Sequence, residues 1–284
     1  MNAATRDAPK RRDRLDRRLV SAGLVESRVK AQALVMAGRV KVDGQPAHKP
    51  GAQVNDSAAL EVDPGPRHVG RGALKLVGAL DAFAIATQGR VAIDVGASTG
   101  GFTEVLLERG ARRVYAVDVG RAQLHDRMRR DGRVVVLERV NARYLTRQII
   151  PEACDLLVMD VSFISVLKIF PALPNIMSPE FDAAILVKPQ FELSKRDVGR
   201  GGVVRSAECH ARALLGVADS ARKEHGFSVM DACASPIAGA VGNREFFLHL
   251  RHGGAPGLTG DVLCARIRAA TASPMQSQPP ETGT

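Results

Sequence analysis

The sequence predicts an α/β protein: a Rossmann-like, doubly wound, mainly parallel sheet preceded by a small N-terminal α+β domain. Three observations carry this. From residue 71 to 252, short apolar runs alternate with helical patterns, the rhythm of βαβ units. A glycine-rich loop, Gly96-Ala97-Ser98-Thr99-Gly100-Gly101, comes directly after the first apolar run. The first 49 residues hold 12 Lys+Arg against 5 Asp+Glu, and the breaker Asp63-Pro64-Gly65-Pro66 separates them from the larger part of the chain.

In the N-terminal part, Arg14-Leu15-Asp16-Arg17-Arg18-Leu19-Val20 predicts a short amphipathic helix ending near Gly23. Ser27 is placed to cap a second helix from Arg28 to about Ala37, stopped by Gly38. Arg39-Val40-Lys41-Val42 alternates as a half-buried strand does, Asp43-Gly44 is a hairpin turn, and Ala59-Leu60-Glu61-Val62 completes a small sheet.

In the larger part, strands are expected at Val91–Val95, Val114–Asp118, Val134–Leu137, Asp155–Val161 and Asp182–Val187. Phe227–Ala232 and Glu245–Arg251 form a last pair at one edge. In such sheets ligands sit beyond the carboxyl ends of the strands. The loop after Asp94 lets backbone approach a ligand closely, and Asp118 at the end of the second strand is placed to accept hydrogen bonds from a ribose diol. These two features fit NAD and S-adenosylmethionine alike, and an ordinary βα turn also carries glycines. Gly96-Ala97-Ser98 interrupts the G-x-G-x-x-G pattern, and no Gly-Lys-Ser/Thr is present, which excludes a P-loop. The domains are expected at 12–64, a linker at 65–70, a second domain at 71–252, and a tail at 253–284. A short helix is conceivable in that tail over Val262–Ala270, and the remainder reads as largely disordered.

Composition narrows the class. Of 284 residues, 45% are hydrophobic and 25% charged, ample for a core and unlike a disordered chain. No run approaches the 18 apolar residues of a membrane span, and residues 1–18 lack the apolar region of a secretory signal. The four cysteines, Cys154, Cys209, Cys233 and Cys264, are far apart with no ligand spacing, so neither a disulfide framework nor a metal site is expected. The net charge of +10 points to a polyanionic partner, and seven of those units fall in residues 1–49. The expected setting is the cytoplasm, with no obligate protein partner.

Two resemblances sharpen this reading. The N-terminal pattern Ser-Arg…Ala…Gly-Arg-Val-x-Val-(Asn/Asp)-Gly resembles the RNA-binding domain first named from small-subunit ribosomal protein four. The resemblance implies a basic face for structured RNA, supplied by Arg14, Arg17, Arg18, Arg28, Lys30, Arg39 and Lys41. The pattern Asp-x-Gly-(Ala/Cys)-(Ser/Pro)-x-Gly-Gly-Phe resembles that of S-adenosylmethionine methyltransferases. Asp118-Val-Gly-x-x-Gln123-Leu124, Asp160-Val-Ser-Phe-Ile-Ser165, Val187-Lys-Pro-Gln-Phe-Glu192 and Gly201-Gly-Val-Val204 come after it in order. Together they resemble the FtsJ-type RNA ribose 2′-O-methyltransferases and, with the N-terminal domain, the TlyA family, often labelled haemolysin. The resemblance covers about residues 12–251.

It implies S-adenosyl-L-methionine as cofactor and ribosomal RNA, within ribosomal subunits, as substrate, with a cytidine ribose as target. It puts a Lys-Asp-Lys-Glu tetrad on Lys75, Asp160, Lys188 and Glu245. The cofactor would meet Asp94, Gly96, Ala97, Ser98, Thr99, Gly100, Gly101, Phe102, Asp118, Asn141 and Asp160; no metal is implied. Gly70-Arg71-Gly72-Ala73 departs from the more usual Ser-Arg-Gly-Gly. A ribose hydroxyl is a poor nucleophile. A cation beside it, for which Lys188 is the choice, stabilises the developing alkoxide, and a neutral Lys188 would instead be a general base. Two other readings compete: a catalytically weak RNA-binding assembly factor, and a membrane-active haemolysin-like protein touching anionic lipid through the helix near Arg14.

Overall fold

A computed structural model describes residues 12–63, 68–239, 241–254 and 256–272. The chain divides into two compact units, Met1–Arg67 and His68–Thr284. Half of the expected linker and the end of the tail lie outside the described residues.

Unit 1 runs β1 (Arg12–Arg14), α1 (Leu15–Ser21), α2 (Arg28–Met36), β2 (Val40–Val42), β3 (Gln45–Pro46), β4 (Gln53–Asn55) and β5 (Leu60–Val62). As expected, Ser27 caps α2, its side chain accepting a hydrogen bond from the Lys30 N–H at 3.3 Å. Asp43 and Gly44 both have positive φ, 50° and 77°, the backbone that a tight hairpin between β2 and β3 requires. The sheet order is β3-β2-β5, all antiparallel, and β1 pairs with β4 in a separate ribbon. That ribbon was not expected: three-residue strands leave almost no alternation to read. Leu15, Leu19, Val25, Ala31, Val35, Val40 and Val54 form the core.

Unit 2 runs α3 (Gly72–Phe83), β6 (Val91–Val95), α4 (Gly101–Glu108), β7 (Arg113–Asp118), α5 (Asp126–Arg129), β8 (Val134–Glu138), β9 (Cys154–Met159), β10 (Met177–Val187), α6 (Pro189–Glu192), α7 (Ala207–His225), β11 (Phe227–Ala234), β12 (Phe246–His252) and α8 (Gly260–Ala272). Its seven strands lie in the order β11-β12-β10-β9-β6-β7-β8. Five are mutually parallel; β12 runs antiparallel between β10 and β11. Alternate residues of each strand point to opposite faces. Ile93, Tyr115, Leu157 and Ile185 pack on one side with α7 and α8. Ala92, Ala116, Val158 and Leu186 pack on the other with α3 and α4. On α3, Leu76, Ala79, Leu80 and Phe83 recur at i, i+3, i+4 and i+7, the stripe that seats a helix on a sheet.

The helix read over Val262–Ala270 is present and longer, and it takes in Thr271 and Ala272, where disorder was expected. Residues Gly260–Ala272 form α8, which buries Leu263, Ile267, Ala270 and Thr271 against the core beside β11. Burying a Leu and an Ile contributes about 1.5–3 kcal/mol each, enough to hold a helix this short in place.

Register decides where chemistry can occur. Val95 pairs with Val117 on one side and Met159 on the other, so β6, β7 and β9 end together. Gly96, Asp118 and Asp160 therefore stand side by side at one edge of the sheet. Val187, the last residue of β10, pairs with Phe246, the first of β12. Because β12 is antiparallel, its beginning meets the end of β10, and Glu245 arrives at the same edge as Lys188.

Candidate active site

Four charged side chains meet at that edge. Lys188 Nζ lies 2.6 Å from Asp160 Oδ1 and donates to Ser162 Oγ at 2.8 Å. Lys75, carried in by the first turn of α3, donates to Glu245 Oε2 at 2.6 Å and lies 3.8 Å from Asp160 Oδ2. Asp160 thus stands between two ammonium groups. Lys75, Lys188 and Glu245 are 9%, 8% and 4% exposed. Burying charges to this degree is costly unless they are paired, and here two cations face two carboxylates. Glu245 fits only because residue 239 is glycine: a Cβ there would come within 2.3 Å of its Oε1.

Two cavities flank this network and share Gly96, Ser98 and Asp160. The larger, about 460 Å³, is lined also by Asp118, Gln123, Asn141, Ser162 and Phe163. The smaller, about 230 Å³, is lined by Lys75, Ala97, Thr99, Gly101 and Phe102, among others. Volumes of this size suit a small elongated ligand. Gly96 has φ 88°, and a Cβ there would lie 2.2 Å from the Asp160 carbonyl oxygen. Only glycine lets the loop turn this tightly across the end of β9. Asp118 is held by its neighbours: Oδ2 accepts from the Ser98 N–H at 2.8 Å and Oδ1 from the Gly120 N–H at 2.7 Å. Each oxygen keeps a lone pair for a diol at the cavity wall.

Nine of the eleven expected cofactor residues line one or other cavity: Gly96, Ala97, Ser98, Thr99, Gly101, Phe102, Asp118, Asn141 and Asp160. Asp94 and Gly100 do not. Asp94 is 0% exposed beneath the loop, where its Oδ2 accepts from Thr103 Oγ1 at 2.7 Å while Oδ1 makes no hydrogen bond. Burial with a single hydroxyl donor pushes its carboxyl up to about 7. Gly100, at φ 96°, instead turns the chain into α4. Ser162 and Gly239 were not singled out from the sequence, and Gln123 entered only as part of the motif that begins at Asp118. Ser162 was discoverable, since it sits inside the Asp160-Val-Ser motif. Gly239 was not, because its role depends on a contact six residues away.

The expected RNA-contacting residues of unit 1 carry acidic neighbours. Arg14 Nε donates to Asp16 Oδ1 at 3.0 Å, while Arg28 Nε and Gln32 Nε2 donate to Oδ2 at 3.0 and 2.8 Å. Asp16 is 0% exposed, and these donors hold its carboxyl well below the usual range, the Arg14 hydrogen bond foremost. Arg17, Arg18 and Lys30 lie 4.0, 3.6 and 3.1 Å from Asp13, Asp56 and Glu26. Among the described residues, Arg39 and Lys41 have no ion-pair partner.

Comparison with known proteins agrees with this geometry. A family model described as FtsJ-like methyltransferase matches residues 68–252, and an S4 domain model matches residues 13–59. The chain belongs to the FtsJ-like methyltransferase family. A Mycobacterium tuberculosis protein named 16S/23S rRNA (cytidine-2'-O)-methyltransferase TlyA is 53% identical over 243 residues, covering 85% of this chain and 90% of its own. A Brachyspira hyodysenteriae protein named Hemolysin A is 38% identical over 237 residues, 83% of this chain and 98% of its own. The solved structure of a hemolysin-named protein from Streptococcus thermophilus superposes with a TM-score of 0.68 at 39% identity, covering 93% of this chain and 96% of that one. S-adenosylmethionine is the cofactor that goes with this family. No helix among the described residues is long and apolar enough to cross a membrane.

Proposed function

We infer that the protein transfers a methyl group from S-adenosylmethionine to the 2′-hydroxyl of a cytidine ribose in ribosomal RNA. The observation that carries this reading is the network of Lys75, Asp160, Lys188 and Glu245 beside two cavities that share Gly96, Ser98 and Asp160. The named activity of the Mycobacterium tuberculosis relative supports it at 53% identity.

S-adenosylmethionine, when bound, supplies a methyl group activated by a sulfonium. Gly96 to Phe102 would cradle it by backbone, Asp118 would take its ribose hydroxyls, and Asn141 would lie at its adenine. The chain's own part is to make a poor nucleophile attack. Lys188 has three N–H donors. Ser162 accepts from one of them and Asp160 is the ammonium's ion-pair partner, and a remaining N–H would serve the substrate oxygen, where an ammonium stabilises developing negative charge. Asp160 holds that ammonium in place, while Lys75, fixed by Glu245, holds Asp160 from its other side. Holding oxygen, methyl and sulfur in line supplies much of the remaining advantage. A catalytically weak assembly factor would have no need of such a network, because three buried charges around a fourth without a reaction to serve are a liability.

The substrate is folded RNA within ribosomal subunits, gripped through phosphates by the S4 domain, and the reaction belongs in the cytoplasm, where those subunits are. The test is methyl transfer from labelled S-adenosylmethionine to purified subunits lacking the modification. The expected product is an alkali-resistant dinucleotide carrying the label. Label recovered on a base of an ordinary mononucleotide would overturn the assignment.

A further inference from the structure

We propose that His68, Glu104 and Glu108 form a binding site for one divalent transition metal of the zinc class. The cluster lies in the methyltransferase domain and shares no side chain with the residues assigned to methyl transfer. His68 stands where the described chain enters the domain, and Glu104 and Glu108 lie one turn apart on α4. The three donor atoms, one from each side chain, lie within 4.8 Å of one another. His68 Nδ1 is 3.3 Å from Glu104 Oε2 and 4.0 Å from Glu108 Oε2. Zinc bound tetrahedrally at 2.0–2.1 Å sets its ligand atoms about 3.4 Å apart, so closing the site needs side-chain movements of up to about 1.4 Å.

A second, independent feature points into the same place. The His68 side chain is only 9% exposed, and its buried Nδ1 makes no hydrogen bond. Orphaned buried nitrogens are rare because they cost free energy; coordination to a cation removes that cost. The charge count agrees. Glu104 is 1% exposed and is neutralised by Arg127 at its Oε1, while its Oε2 accepts from the Val69 N–H at 2.7 Å and keeps a lone pair toward His68. Glu108 brings a second negative charge with no cation of its own in the cluster. Like charges at i, i+4 oppose a helix by about 0.2–0.5 kcal/mol, which a bridging cation reverses. Glu108 is 44% exposed, giving the ion a path from solvent. One imidazole and two carboxylates, with water at a fourth position, suit zinc better than magnesium, which prefers all-oxygen surroundings. The sequence carried no sign of this, because His68 and Glu104 are 36 positions apart. Occupancy would clamp the entering chain at His68–Val69 to α4, whose first turn lines the smaller cavity.

The experiment uses the full chain stripped with a chelator and titrated with Zn²⁺ by calorimetry and with Co²⁺ by visible absorption. One ion per chain is expected, with the intense visible bands of a low-coordinate cobalt site and a higher Tm in Zn²⁺. His68→Ala and Glu108→Gln should each weaken binding by about 10–100-fold or more. His48→Ala, in the other unit, should leave it unchanged. Glu108 is half-exposed, so its variant keeps the test valid should His68→Ala not fold. No stoichiometric binding, binding indifferent to both variants, or equal preference for Mg²⁺ would overturn the proposal.

Discussion

Asp16 in the S4 domain and Asp94 in the methyltransferase domain are the same residue type, both 0% exposed, and they titrate in opposite directions. Asp16 is ringed by Arg14, Arg28 and Gln32, which satisfy its oxygens and hold it ionised. Asp94 has one neutral donor, Thr103, and an orphaned oxygen, so burial raises its carboxyl to about 7. Burial alone therefore does not fix the state of an acid; its partners do. Asp160 is a third case. It is less buried, it lies between Lys75 and Lys188, and it borders both cavities. A closed cluster stabilises a small domain, whereas an open one offers its charge to a substrate.

The largest effect is expected at the open cluster. Asp160→Ala should cut methyl transfer by about 10³-fold or more, because both ammonium groups lose their common partner. Single-turnover assays with saturating cofactor measure this, and a loss below about tenfold would place Asp160 outside the reaction. At the closed cluster, Asp16→Ala should destabilise the S4 domain by about 1–3 kcal/mol, since the hydrogen bonds from Arg14, Arg28 and Gln32 are lost while the two partly exposed guanidinium groups turn to water. Urea unfolding monitored in this domain gives the value, and a change within about 0.5 kcal/mol would mean the cluster is decorative.

The opposite titrations give opposite pH responses. Asp16 has a depressed folded pKa, so its stabilisation is present above the ordinary carboxylate range and is lost as pH falls below about 4. Asp94 has a raised one, so its contribution is present below about 4 and is lost as pH rises from there through about 7. Asp94→Asn should abolish the decline of methyltransferase-domain stability between those pH values while leaving the acid side of the S4 domain untouched. An unchanged profile would show that Asp94 is ionised throughout. The smallest effect belongs to Arg39 and Lys41, which make no ion pair among the described residues, although Glu61 stands opposite Lys41 across the sheet. Arg39→Ala and Lys41→Ala should each reduce the salt slope of RNA binding by about one, whereas Lys30→Ala, already paired with Glu26, should do less.

Much of the methyltransferase domain was legible in the sequence because parallel strands buried on both faces read as continuous apolar runs, and every expected strand is present. Strand ends carried Asp118 and Asp160 to the cleft, and Lys188 to the side of Asp160, without further information. Lys75 and Glu245 could be singled out only through the family resemblance, since their meeting depends on β12 running antiparallel beside β10. Asp16, set among arginines, read as part of a solvated basic helix; nothing local shows that its side chain points into the fold. The helix α8 was underestimated because its buried residues are few, and its partner β11 lies beyond a Gly- and Pro-rich stretch.

The central claim is that Lys188 acts on the substrate oxygen, not on cofactor binding. It is tested most directly by measuring, for Lys188→Ala on the same ribosomal subunits, the single-turnover rate of 2′-O-methyl formation and the Kd for S-adenosylmethionine. The prediction is a rate lower by about 10²–10⁴-fold with Kd changed less than about threefold. A variant that methylates at the wild-type rate, or whose lost activity is explained by a matching loss of cofactor affinity, would contradict it.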